Sequence, residues 1–237
     1  MFSTKLIQSV SLISHRLRTP LSVIKGAIET ILSQELGPLN AEQNDYLNDA
    51  LKNTQRLIEL INSLLEISAI EEGGLRLTPK DIDLGPIVNK VARELLPLTK
   101  ASNSQIKIEI EESLPQVNAD PDKMTEIIIN LISNAIKYTL NKGIIKISLK
   151  QQNGEIIFAC QDNGMGITTE EQTKIFQKYF RGDRVITAET EGSGLGLYIA
   201  KEIIDRSGGR IWFNSEPDKG TTFYFALPIT TTNKKQL

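Results

Sequence analysis

Residues 120–140 read Asp120-Pro-Asp-Lys-Met124-Thr-Glu-Ile127-Ile128-Ile-Asn130-Leu131-Ile132-Ser-Asn134-Ala135-Ile136-Lys137-Tyr138-Thr-Leu140. Met124, Ile127, Ile128, Leu131, Ile132, Ala135 and Ile136 recur three and four positions apart, the period of an amphipathic helix. Asn130 and Asn134 share the opposite face, and Lys137 and Tyr138 follow one turn on. Amide oxygens are hard ligands of the kind Mg²⁺ takes together with phosphate oxygens, and lysine supplies compensating charge. Two helix amides facing water would give the same spacing.

Around this helix the pattern alternates. A helix is expected over 84–100. Residues 105–111 alternate strictly at Ile106, Ile108 and Ile110, as a strand does. Residues 144–149 and 155–161 read as a hairpin joined near Asn153-Gly154. A short helix is expected at 169–177 and another from 195 to 206, with strands at 209–215 and 221–228. Five strands with three or four helices predict an α+β two-layer sandwich.

The first 70 residues have a different texture. They hold two glycines, Gly26 and Gly37, and two aromatics, Phe2 and Tyr46. Leu6, Val10, Ile13, Leu17, Ile24, Ile28 and Ile31 form one apolar stripe. Leu47, Thr54, Ile61 and Ser68 form a weaker one, with Leu51, Ile58 and Leu65 beside it. Leu36-Gly37-Pro38-Leu39-Asn40 separates them, with Asn40 as the expected N-cap. The expected unit is an αα-hairpin. A second copy would cover its stripes in a dimeric four-helix bundle, and packing on the rest of the same chain is the alternative. Pro20 falls inside the first stripe, where it removes a hydrogen bond at a cost of about 3 kcal/mol, so a break or kink is expected there.

Composition narrows the function. The chain has 237 residues, 27 Lys+Arg against 29 Asp+Glu, one histidine (His15) and one cysteine (Cys160). Balanced charge argues against a nucleic-acid binder. A single cysteine excludes an internal disulfide and a cysteine-clustered metal site. No apolar run approaches the ~20 residues of a membrane span.

Two glycine segments carry further chemistry. Asp162-Asn-Gly164-Met-Gly166-Ile167 leaves a strand, and Gly192-Ser-Gly194-Leu195-Gly196-Leu197 opens a helix. Glycines ahead of a helix let backbone N–H groups approach phosphate, which the helix dipole favours. Either segment alone also fits a tight turn.

Taken in order, Asn130-Leu-Ile-Ser-Asn134-Ala-Ile-Lys137-Tyr138, Asp162-Asn-Gly-Met-Gly166, Ile175-Phe-Gln-Lys-Tyr-Phe-Arg181, Gly192-Ser-Gly-Leu-Gly-Leu and Gly220-Thr-Thr-Phe223 resemble the GHKL-type (Bergerat) ATP-binding domain of sensor histidine kinases. Ser14-His15-Arg16-Leu17-Arg18-Thr19-Pro20-Leu21 resembles their phospho-acceptor box. The resemblance covers about residues 3–228. It implies a dimerisation and phospho-acceptor domain at 1–72, a linker at 73–82, an ATP-binding catalytic domain at 83–229 and a frayed tail at 230–237.

The resemblance also implies roles. His15 is the phosphorylated histidine. Asn134 is a Mg²⁺ ligand, and Asn130 lines the same metal–phosphate site. Lys137 and Tyr138 contact the phosphate and ribose sides. Asp162 accepts the adenine amino group, Gly166 gives the base room, and Gly164 and Ile167 flank them. Residues from about 179 to 193 form a lid, with Arg181 reaching the γ-phosphate. Gly192, Gly194, Leu195, Gly196 and Leu197 bring lid and helix N-terminus to the phosphates. Thr221 places a hydroxyl near adenine, directly or through water. The implied cofactors are ATP and Mg²⁺. The implied partners are a second copy of the chain and a response-regulator receiver domain, with neither nucleic acid nor direct membrane contact. The implied setting is cytoplasmic, as a fragment of a longer, often membrane-anchored receptor.

One residue departs from the family. Arg16 stands where the family carries Glu or Asp, the group held to take the imidazole proton and, with Thr19, to align water for partner dephosphorylation. A guanidinium accepts no proton. Arg16 therefore slows autophosphorylation, binds a phosphate productively, or marks a degenerate site. The alternatives to a kinase are an attenuated nucleotide-binding dimeric scaffold and a related ATPase that uses water, a class that places a carboxylate where Asn130 stands. The order Tyr179-Phe180 also reverses the family's usual Phe-Tyr.

Overall fold

The computed structural model describes residues 2–139, 143–182 and 192–230, with side chains from Ser14 onward apart from that of His15. The chain divides into two compact units, Met1–Leu75 and Arg76–Leu237.

The first unit is a helical hairpin of α1 (Phe2–Leu32) and α2 (Ala41–Glu71). Asn40 caps α2 in a reciprocal box: its Oδ1 accepts the Gln43 N–H at 2.8 Å, and its own N–H donates to Gln43 Oε1 at 3.0 Å. Two backbone donors that the helix start would otherwise leave unpaired are satisfied. Ile28, Thr54 and Ile61 are buried. The break expected at Pro20 does not occur, since α1 continues through it. Proline withholds one N–H from the ladder, and the turns on either side keep theirs. Nearby, Arg18 Nε donates to Asn62 Oδ1 of α2 at 3.0 Å, which ties this part of α1 to its neighbour.

The second unit opens with β1 (Lys80–Ile82) and α3 (Leu84–Glu94), then α4 (Leu96–Ala101). The single helix expected over 84–100 is thus two. Pro97 lies in the first turn of α4, where a missing N–H is harmless, whereas a continued α3 would need that N–H. Then follow β2 (Gln105–Ile110), β3 (Val117–Ala119), α5 (Pro121–Tyr138), β4 (Ile144–Gln152) and β5 (Glu155–Gln161). The chain closes with α6 (Thr169–Gln172), α7 (Gly196–Arg206), β6 (Arg210–Glu216) and β7 (Gly220–Pro228). The helix expected at 169–177 is the one turn of α6 followed by turns.

The five-stranded sheet has the order β2-β4-β5-β7-β6, and a small sheet pairs β1 with β3. Only β2–β4 is parallel; the other neighbours in the large sheet are antiparallel. Asn153 and Gly154 both take positive φ (52° and 80°) between the last β4–β5 pair, Gln152 and Glu155. That is the two-residue turn whose twist suits a hairpin. Alternate residues of the central strands, among them Ile147, Phe158 and Phe225, are buried, and Phe158 stacks on Phe225 at 4.8 Å. The apolar stripe of α5 is buried along its whole length, from Met124 to Ile136. Each buried Met, Ile or Leu of the stripe contributes about 1.5–3 kcal/mol. This two-layer α+β architecture leaves the opposite face of α5, with its two asparagines, to line a site.

Candidate functional site

The site grows from the C-terminal end of β5. The Asp162 N–H donates to the Thr221 carbonyl at 2.8 Å, which extends the β5–β7 ladder by one bond. The Asp162 carboxylate then turns back on its own loop. Its Oδ1 accepts the Gly164 N–H at 2.8 Å and the Thr221 N–H at 3.2 Å. Both bonds fall on one oxygen, and among the described residues none falls on Oδ2. Burial pushes the Asp162 carboxyl above its ordinary value, and the Gly164 and Thr221 donors offset part of that rise. The neighbouring Cys160 thiol is raised far beyond the physiological range, by burial first and then by the Asp162 charge. It is therefore an inert thiol.

Gly166 sits where a side chain has no room. A Cβ there would lie 2.1 Å from the Glu216 carbonyl oxygen, and its φ is +62°. The next residue, Ile167, donates its N–H to Ser215 Oγ at 2.8 Å. The same hydroxyl lies 2.8 Å from Thr221 Oγ1 and 3.2 Å from the Gly220 carbonyl. Gln172 Nε2 donates to the Ile167 and Ser215 carbonyls at 3.1 and 3.2 Å. Neither Ser215 nor Gln172 was expected from the sequence, because neither stands in a glycine motif. They matter through bonds to residues 48 and 43 positions away.

The second half of the cleft joins α5 to the start of α7. Asn130 is half-buried, and its Nδ2 is sealed from solvent with no hydrogen-bond partner among the described residues. Asn134 Nδ2 approaches Asn130 Oδ1 at 3.4 Å. A Cβ on Gly196 would come within 2.5 Å of that Oδ1, so glycine is what lets α7 begin against the amide. Among the described residues no side chain caps the N-terminus of α7, where Leu195 is the N-cap residue. Uncapped N–H groups of the first turn suit an anion. Leu195 itself is packed in the core, while Leu197 is half-buried. Lys137 and Tyr138 occupy the last turn of α5, and the Tyr138 carbonyl accepts the Met165 N–H at 3.1 Å. Helix end and glycine loop are thereby joined.

Arg181 and Gly192 fall within the lid expected over about 179 to 193, and residues 183–191 of that stretch lie outside the described residues. Arg181 Nε stands 3.8 Å from the Cβ position of Gly192, so the two meet. Gly194 is packed against the backbone of Tyr179 and Phe180. In the first unit, His15 lies on α1 between buried Ser14 and exposed Arg16, and Thr19 is exposed one turn on.

The donor set suits the nucleotide chemistry. Among the described residues no group of three or more His, Cys, Asp or Glu gathers that could hold a metal. The oxygens on offer beside the α7 N-terminus are amides, which hold Mg²⁺ when phosphates complete its shell. The orphaned Asn130 amide is a polar group in want of a partner, such as a nucleotide would supply.

Comparison with known proteins gives the lineage. Residues 5–73 match the family described as "His Kinase A (phospho-acceptor) domain". Residues 119–231 match "Histidine kinase-, DNA gyrase B-, and HSP90-like ATPase". The chain is 33% identical over 231 residues to the adaptive-response sensory kinase SasA of Prochlorococcus marinus, covering 97% of this chain and 60% of that protein. It is 32% identical over 220 residues to the circadian input-output histidine kinase CikA of Synechococcus elongatus, covering 92% of this chain and 29% of that protein. A crystal structure of full-length ShkA in complex with AMPPNP superposes with a TM-score of 0.77 at 25% identity, covering 95% of this chain and 46% of that one. The chain thus spans less than two thirds of the length of each of these relatives. With a phospho-acceptor domain followed by an ATPase domain in one chain, the protein belongs to the histidine kinases, as a catalytic core of that family.

Proposed function

We propose that this chain is an ATP-dependent protein-histidine kinase that phosphorylates His15 and passes the phosphoryl group to an aspartate of a response-regulator receiver domain. The observation that carries this reading is the joining of the chain's one histidine, inside a phospho-acceptor domain, to an ATPase domain. The acting form is a homodimer paired through the α1–α2 hairpin, and its setting is cytoplasmic. Among the described residues no helix is long and apolar enough to cross a membrane.

In this reading Asp162, with Thr221, orients adenine, and Gly166 leaves the base its space. Lys137, Tyr138 and the N-terminus of α7 receive the phosphates, with Gly192, Gly194 and Gly196 allowing close approach. Asn134 and Asn130 would hold Mg²⁺, which when bound neutralises phosphate charge. Arg181 approaches the γ-phosphate. Phosphoryl transfer asks mainly for positioning and charge neutralisation. The neutral His15 ring attacks with Nε2, the bond from the γ-phosphorus to the bridging oxygen breaks, and ADP departs. The ring proton leaves to solvent, because Arg16 accepts none.

Arg16 favours a second reading, an attenuated scaffold that binds nucleotide but transfers phosphate poorly. Incubation with γ-labelled ATP and Mg²⁺ separates the two. The kinase reading expects acid-labile, alkali-stable label that disappears in His15→Ala. Nucleotide binding with no label in the unaltered chain would leave the scaffold.

A further inference from the structure

α5 packs on one face of the five-stranded sheet. The Cys160 thiol of β5 approaches the Leu131 carbonyl of α5 at 3.8 Å, and residues of the same parity, such as Phe158 and Ile147, are buried with it. Alternate residues of a strand point to opposite faces, so the intervening ones face away from α5. On that far face Ala159, Tyr224 and Trp212 stand in register across β5, β7 and β6, each half-buried. Tyr224 and Trp212 stack at 5.2 Å with their planes 8° apart, and the Arg210 guanidinium lies over the Trp212 ring at 5.0 Å. Together they form an apolar lane that runs across the strands.

Positive charge flanks this lane. Lys107 and Lys146 pair directly across β2 and β4 in the row to one side, and Lys150 and Arg210 lie in the row to the other. All four are exposed. The acids of the same face within the strands are Glu109, Glu155 and Glu216. Glu155 is ion-paired to Arg210 and Glu216 to Lys219, whereas among the described residues none of the three lysines holds an ion pair. Like charges facing each other on adjacent strands repel, so the Lys107–Lys146 pair is a local cost that no bonded carboxylate of the described residues relieves.

We propose that this face is a docking surface for an acidic amphipathic helix of a partner protein, its apolar stripe seated on Ala159, Tyr224 and Trp212 and its carboxylates reaching Lys107 and Lys146 on one side and Lys150 on the other. The face of a sheet is covered in folded proteins by helices or by a second sheet. The two basic rows lie two strand residues to either side of the lane and so about 13 Å apart, which matches the 10–12 Å diameter of a helix. From β2 to β6 the lane is about 19 Å long, the rise of three to four helical turns. Carboxylates set between the lysines replace repulsion with attraction and fix the register of the helix. A single-stranded nucleic acid fits this face less well, because Trp212 is already stacked within the chain and is no free platform for a base.

Trp212 is the only tryptophan of the chain, so its emission reports occupancy of this face. The probes are a helical peptide of about five turns with glutamates flanking a leucine stripe, the same peptide with lysines in place of the glutamates, phosphatidylserine vesicles and oligothymidine. The acidic peptide is expected to shift the Trp212 emission saturably, with an affinity that falls as salt rises. Lys107→Glu/Lys146→Glu should weaken it at least about tenfold and leave ATP titrations unchanged. Should that variant fail to fold, Lys107→Gln/Lys146→Gln must weaken the peptide about threefold or more. An emission unmoved by the acidic peptide, an equal response to the basic peptide, or binding indifferent to the lysine substitutions overturns the proposal. A response to the vesicles or to oligothymidine without one to the acidic peptide overturns it too, and assigns the face to a lipid or a nucleic acid. The Trp212 readout needs no nucleotide, so its failure is distinct from a failure of the nucleotide site.

Discussion

Asp162 and Thr221 hold each other twice: the Asp162 N–H donates to the Thr221 carbonyl at 2.8 Å, and the Thr221 N–H donates back to Asp162 Oδ1 at 3.2 Å. The carboxylate is thereby set at the head of the cleft although burial opposes its charge. Because its folded pKa is raised, the ionised form costs stability at neutral pH. That cost is relieved as pH falls through the folded value toward the ordinary 3.8. Asp162→Asn keeps an oxygen for both backbone donors and removes the charge. We expect the nucleotide-free variant to melt no lower than the unaltered protein at pH 7, with any advantage vanishing below pH 4. ATP affinity should fall about 10- to 100-fold with the loss of a charge-assisted bond. Thermal melts across pH and a nucleotide titration check both halves.

Gly166→Ala should fail for a steric reason. The added methyl would lie 2.1 Å from the Glu216 carbonyl oxygen and 3.1 Å from Pro217 Cα, at a φ of +62°. The dihedral alone costs about 1–2 kcal/mol for a residue with a Cβ. The backbone clash adds to that and displaces the loop carrying Ile167. A lowered melting temperature together with lost ATP binding is the expected result, and retention of both would show that the loop relaxes freely.

Asp120 offers a pH signature remote from the cleft. Its Oδ2 accepts the Thr78 N–H at 2.8 Å and the Thr78 hydroxyl at 2.9 Å, while Oδ1 caps α5 through the Asp122 and Lys123 N–H groups. Burial pushes its carboxyl up, but the four donors outweigh that, and the net result is a lowered pKa. A lowered carboxylate stabilises above its unfolded value and loses that contribution as pH falls through the folded one. Asp120→Ala should therefore destabilise by about 1–2 kcal/mol at pH 7, the usual scale for a lost N-cap. The gap from the unaltered protein should narrow in urea melts below pH 4.

Arg16→Glu should raise autophosphorylation of His15. An acidic neighbour can take the ring proton, and a general base is typically worth about 10²–10⁴-fold. Initial rates of label incorporation at saturating ATP are the measurement, and equal rates in the two proteins would show that Arg16 is no handicap.

The hairpin leaves apolar side chains uncovered. In the single chain Leu17, Ile24 and Leu57 remain 46%, 47% and 49% exposed, as expected if a second copy covers them. Ile24→Glu should convert a dimer to a monomer in light scattering and leave ATP binding by the second unit intact. An unaltered chain that is already monomeric would remove the dimer from the proposal.

Local patterns carried the elements that depend on neighbours in sequence. The α5 stripe, the Asn40 cap and the Asn153-Gly154 turn each involve residues within a few positions of one another, so their chemistry is written in order along the chain. Patterns failed where the deciding partner was an exception or too short to show a period. Pro97 divided what was expected as one helix over 84–100, α1 runs on through Pro20 without the break that was one of the two outcomes expected there, and the three residues of β3 were too few to alternate visibly. In the cleft, the glycines and polar residues that form its walls were legible, but the struts behind them were not. Ser215 looks like any strand serine until its hydroxyl is seen against Ile167 and Thr221.

By itself, then, the sequence determined most of the helices and strands and that one histidine lies on the first helix, and it pointed to two glycine segments and two asparagines as candidates for a nucleotide site. Tertiary structure decided what faces what. It brought Asp162 to Thr221 across 59 residues and Thr78 to Asp120 across 42, and it set Gly196 against the Asn130 amide. Strand register and helix packing create such pairs, and a carboxylate or hydroxyl acquires its role from the donors that the fold presents to it.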